Sequence, residues 1–85
     1  MIRIEMPLKD YQFLKKYYDD LDKCIIGIAY GQKHVEIDIM NSRFLDFTQG
    51  YKSMILRKGL DGAERYSDIG VRMRDIYDMY IREHE

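Results

Sequence analysis

The sequence predicts an α+β domain in which a small, mainly antiparallel three-stranded sheet carries three helices, in the order β-α-β-β-α-α. Three observations predict it. Apolar and polar residues alternate in "MIRIEM" (1–6) and "KHVEIDIM" (33–40). Apolar residues recur every three or four positions after Pro7, after Met40 and from Tyr66 onward. Gly31-Gln32 separates two extended runs, as a hairpin loop does. With 85 residues, the chain is one domain, 1–85.

The first strand places Ile2, Ile4 and Met6 on one face against Arg3 and Glu5. Pro7 suits the first turn of a helix, where its missing N–H would have no partner. Leu8, Tyr11, Leu14, Tyr18 and Leu21 then form the apolar stripe of a helix over 8–21. Asp19, Asp20 and Asp22 fall at the negative end of that helix and are expected to fray its last turn.

"CIIGIAY" (24–30) and "KHVEIDIM" form the hairpin. A two-residue loop with Gly31 first matches a type II′ turn and pairs Tyr30 with Lys33, Ile28 with Val35 and Ile26 with Ile37. Cys24, Ile26, Ile28, Val35, Ile37 and Ile39 then share one apolar face, and a slip of one residue would put charges among them.

Asn41 or Ser42 is expected to cap the second predicted helix. Phe44, Phe47, Tyr51, Met54 and Ile55 supply its stripe, and Arg57-Lys58 before Gly59 suits its C-terminus. Gly50 inside it predicts a bend or a close contact. In the connection that follows, Asp61 and Glu64 have capping-box spacing. The third predicted helix runs from Tyr66 through Ile69, Met73, Ile76, Tyr77 and Tyr80, with Asp68/Arg72 and Asp78/Arg82 as i, i+4 pairs. With the first strand beside the third, this topology is similar to the first part of a ferredoxin-like sheet, a helix replacing the last strand.

Composition narrows the function classes. Apolar residues make up 46% and charged residues 34%, enough for a packed core. Fourteen basic and fifteen acidic side chains are interspersed to a net charge of −1, so no uniform field points to nucleic acid or to an anionic membrane. Cys24 is the only cysteine, which excludes an internal disulfide and fits a reducing compartment, so a cytoplasmic location is expected. No apolar run reaches the ~20 residues of a membrane span, and "MIRIEMPLKD" lacks a signal-peptide pattern.

The row His34, Glu36, Asp38 is too extended to be a metal site. Alternate strand residues stand ~6.7 Å apart, so a single ion with bonds near ~2 Å cannot gather all three. No phosphate loop or clustered nucleophile and base is present, and Cys24 lies on the apolar face, so the sequence reads as non-catalytic and without a cofactor.

Recognition by surface remains. Eight Tyr with no Trp supply rings that serve at a core margin or an interface. The candidate protein-binding residues are Tyr17, Tyr18, Asp19 and Asp20 in "YYDD", Glu36 and Asp38 on the open sheet face beside Gly27 and Ala29, and Tyr77 and Tyr80 on the last helix. The leading expectation is a small inhibitor, adaptor or regulator that occupies a surface of another protein, of the type phages and mobile elements direct at host machinery. A homodimer through the last helix or a sheet edge is a further expectation. The alternative is a weak nucleic-acid-binding regulator using Arg43, Lys52, Arg57 and Lys58 of the second helix with Arg72 and Arg74 of the third.

Overall fold

The computed structural model describes residues 1–60 and 65–85. Strand β1 (Ile2–Pro7) leads directly into helix α1 (Leu8–Tyr17). A short helix α2 (Leu21–Cys24) precedes strands β2 (Ile25–Tyr30) and β3 (His34–Ile39). Helix α3 (Asn41–Lys58) follows, and helix α4 (Asp68–Ile76) continues through a π-helical turn (Tyr77–Ile81) into a 3-10 turn (Arg82–His84). The sheet is antiparallel in the order β1-β3-β2, so β3 is central and β2 is an edge. The α+β class and the three-stranded sheet are therefore as the sequence predicts, with α2 as an additional helix.

That extra helix has a physical origin in the carboxylates. Instead of running to residue 21, α1 ends at Tyr17, and Tyr18 is already extended. Asp20 then precedes α2 and Asp22 lies in its first turn, where a helix dipole favours negative charge. Lys58 at the end of α3 donates to the Tyr17 carbonyl at 2.7 Å and to Asp19 at 2.9 Å, tying down the break.

The hairpin departs from the predicted register. Ile28 pairs with Ile37 and Tyr30 with Val35, and the Gly31 N–H donates to the His34 carbonyl at 2.7 Å, so the loop is Gln32-Lys33. This is a slip of two residues, which keeps every side chain on its predicted face. A bulge between Ile25 and Gly27 then reverses the alternation, so that Ile25 and not Ile26 meets Ile39. Ile25 packs against the core, Ile26 is left exposed, and Cys24 is buried from the end of α2 and not from a strand.

One face of the sheet contributes Ile4, Met6, Val35, Ile37 and Ile39 to the core. The helices cover it with Tyr11, Leu14, Phe47, Tyr51, Met54, Met73 and Ile76. Four rings run through the centre: Tyr18 stacks on Phe47 at 5.8 Å and meets Tyr51 edge-on at 5.9 Å, and Tyr51 meets Tyr77 at 5.2 Å. Two hydroxyls are satisfied by helix carbonyls, Tyr18 donating to Phe47 at 2.8 Å and Tyr51 to Met73 at 2.5 Å. Burial pushes both hydroxyl pKa values well above the usual tyrosine range.

Helix α3 begins at Asn41 with Met40 in the cap position, and neither predicted side-chain cap forms. For α4 the cap is Ser67, whose hydroxyl accepts from the Gly70 N–H at 3.2 Å and donates to the Gly59 carbonyl at 3.0 Å. The predicted Asp61/Glu64 box lies outside the described residues.

Candidate functional site

The predicted protein-binding residues fall into different environments. Tyr18 and Tyr77 are core residues, 5% and 3% exposed, and neither is available to a partner. Both rings pack against Tyr51, and the Tyr18 hydroxyl donates to the Phe47 carbonyl, so tertiary partners hold them in the core. Tyr80 is half-buried, and burial, followed by the Asp10 charge, raises its hydroxyl pKa. Asp19 is exposed but held by Lys58, whose hydrogen bond lowers the carboxyl pKa. Asp20 pairs with Lys23 at 3.2 Å. Tyr17 is half-buried and packs on Phe13 at 4.9 Å.

On the open sheet face Arg3 holds the acidic row together. Its Nε donates to Asp38 at 2.9 Å and lies 3.8 Å from Glu36. Gly27 and Ala29 pair with Asp38 and Glu36 on this face, as the alternation requires, and Ile25 turns to the core. The Arg3 hydrogen bond holds the Asp38 carboxyl below the usual carboxylate range. A carboxyl depressed by folding contributes stability that is present above its unfolded pKa of ~3.9 and is lost as pH falls through the folded value. The stability gap between wild type and Asp38→Asn is therefore expected to be largest at neutral pH and to close below about pH 4. Urea midpoints at neutral and acidic pH check this, and a gap independent of pH would refute it.

The basic residues of the alternative reading do not gather. Lys52 and Arg57 are five residues apart, about 140° around the helix at 3.6 residues per turn, on opposite flanks of the buried stripe. Arg43 lies 3.8 Å from Asp46, Lys52 lies 3.5 Å from Glu85, and Lys58 is held by Tyr17 and Asp19. Arg74 lies over the Tyr66 ring at 5.5 Å. Arg72 turns toward α1: it stands over the Phe13 ring at 4.3 Å, and its Nη2 reaches Asp10 and the Lys9 carbonyl, each at 3.4 Å. The Asp68/Arg72 pair predicted along α4 is thus replaced by a contact between helices, whereas Asp78/Arg82 forms at 2.7 Å.

Two surfaces were not singled out by sequence reasoning. The first is the edge strand β2, where Ile28 and Tyr30, on the helix-covered side of the sheet, are 36% and 61% exposed and Ile26, at the bulge, is 55% exposed. Tyr30 leans edge-on toward Tyr11 at 6.3 Å; burial first and the Tyr30 hydroxyl second raise the Tyr11 pKa to about 12. The second is a cleft of about 530 Å³ between α1 and α4, lined by Lys9, Phe13, Lys16 and Tyr17 from one side and by Ile69 and Arg72 from the other. Lys9, Phe13, Lys16 and Tyr17 are spaced i, i+4, i+7 and i+8, a second stripe beside the core stripe, and this spacing was the available signal.

Cys24 is buried, and burial pushes its thiol pKa up, the opposite of what a nucleophile requires. Among the described residues no three His, Cys, Asp or Glu side chains are placed to hold a metal ion, and no helix is long and apolar enough to cross a membrane. Comparison of the chain with protein-family models, with curated proteins and with solved structures gives no match.

Proposed function

We propose that the chain is a small, non-catalytic, cytoplasmic protein-binding module that acts as an inhibitor, adaptor or regulator by taking an extended segment of another protein beside β2. The observation that supports this reading is the chemistry of that edge. Natural edge strands are blunted by lysine, proline or inward-pointing charge. β2 carries none of these over its six residues, IIGIAY, and leaves three large apolar side chains exposed. Its outward backbone groups offer hydrogen bonds to an added strand, and alternate side chains offer the specificity of that mode of recognition. The bulge at Ile25/Gly27 twists only one end of the strand away from such pairing.

The test is an Ile28→Lys variant, which places charge on the exposed edge without emptying the core. A partner recovered by the wild-type chain and lost with the variant, at unchanged thermal stability, is the expected result. Equal recovery of every partner would overturn the reading. A concentration-dependent doubling of mass in light scattering, abolished by the same variant, would identify the occupant as a second copy. Retention on heparin that falls steeply with salt would favour nucleic acid instead.

A further inference from the structure

We infer that the cleft between α1 and α4 is a binding site for an acidic, aliphatic segment of a protein partner. It is a different surface from the β2 edge, so the two proposals fail independently. The floor is apolar, formed by Phe13, Tyr17 and Ile69, and the rim carries Lys9, Lys16 and Arg72. Asp68 is the one carboxylate among the lining residues, so three cations face one anion. In a chain whose net charge is −1, this is a local concentration of positive charge. Neither Lys9 nor Lys16 has an ion-pair partner among the described residues, whereas Arg72 is paired with Asp10 at 3.4 Å. Carboxylates brought to the rim would gain charge-assisted hydrogen bonds there.

The placement of the cations selects between acidic ligands. A nucleic acid bound in an aromatic groove stacks its bases on open ring faces. Here the Arg72 guanidinium covers the Phe13 ring at 4.3 Å, the Lys16 ammonium stands 5.3 Å from the Tyr17 ring centre, and the two rings lie against each other at 4.9 Å. The rings are already used as supports for cations, which holds those cations at the rim and leaves ring edges and Ile69 as the apolar contact. That arrangement suits a Leu or Ile side chain flanked by Glu or Asp, presented by a helix lying along the groove between α1 and α4.

The experiment uses fluorescence anisotropy with three labelled probes: a peptide repeating Glu-Glu-Leu-Leu, its Lys-Lys-Leu-Leu counterpart, and oligo(dT). The acidic peptide is expected to bind, and the basic one is not. Lys16→Glu, at an exposed position, and Phe13→Ala are each expected to weaken binding about tenfold or more, while Arg43→Glu on α3 leaves it within about twofold. Circular dichroism confirms that each variant is folded. Unchanged acidic-peptide binding by folded Lys16→Glu, binding of oligo(dT) or of the basic peptide in preference to the acidic one, or binding of none of the three probes overturns the proposal.

Discussion

Replacing Gly70 with alanine is expected to lower the melting temperature by more than about 12 °C. Gly70 lies in the first turn of α4, and Gly59 ends α3; the two backbones touch. A β-carbon on Gly70 would collide with the Gly59 carbonyl, and one on Gly59 would stand 2.8 Å from the Gly70 α-carbon. Both obstacles are backbone, so no side chain can turn aside. The Gly59 carbonyl is further committed to the Ser67 N–H at 2.8 Å and to the Ser67 hydroxyl at 3.0 Å. Relief therefore requires α4 to move away from α3, opening the contact in which the Tyr51 hydroxyl reaches the Met73 carbonyl. Overpacking of this kind costs about 3 kcal/mol or more, and in a domain of this size each kcal/mol is worth about 4–8 °C. Ser67→Ala, which removes the cap but not the close approach, is the comparison, with a cost of about 1 kcal/mol. A Gly70→Ala melting temperature equal to that of wild type would show that the two helices do not depend on this contact.

The glycines illustrate which parts of the molecule could be read from the sequence. Gly59 stands where a helix C-terminal glycine is expected, yet its φ is −100°, an ordinary conformation for any residue. A β-carbon on it would stand 2.7 Å from the Ile55 carbonyl oxygen of its own helix and 2.8 Å from the Gly70 α-carbon, and no local pattern links it to Gly70, eleven positions away. Strands β1 and β3 were legible because period-two alternation reports directly on a half-buried strand. The hairpin register was not. Alternation excludes a slip of one residue but is blind to a slip of two, and the loop chemistry that had to decide favoured Gly31-Gln32 over the observed Gln32-Lys33. The bulge compounded this by exposing Ile26, a residue whose type and spacing both predict burial. Among the candidate residues, Tyr18 and Tyr77 were misplaced for a related reason. Tyrosine is equally at home in a core and at an interface, and only tertiary partners such as the Phe47 carbonyl distinguish the two. Arg72 was attached to Asp68 by helix spacing, but a desolvated carboxylate on another helix, Asp10, competes better for it than an exposed neighbour.

Gly50 allows the central ring cluster to be tested by a cycle of substitutions whose outcome is not additive. The residue lies inside α3, where glycine costs about 1 kcal/mol relative to alanine. On propensity alone Gly50→Ala should stabilise the protein. A β-carbon there, however, would collide with the Tyr18 hydroxyl, which crosses over Gly50 to reach the Phe47 carbonyl. Tyr18 is 5% exposed and stacked on Phe47, so its ring cannot swing out to make room. The net effect of Gly50→Ala is therefore expected to be a loss of about 1–2 kcal/mol. Tyr18→Phe alone removes one buried hydrogen bond, a loss of about 1 kcal/mol. In the Tyr18→Phe background the obstructing oxygen is gone, and the nearest ring carbon is 3.3 Å from the added methyl, which a shift of a few tenths of an ångström accommodates. Gly50→Ala should then change from destabilising to neutral or stabilising, a coupling of about 2 kcal/mol between two sites in direct contact. Chemical denaturation of the four proteins measures it. Additive losses would mean that the Tyr18 ring does not lie across Gly50, and the account of why α3 keeps a glycine at its centre would be wrong.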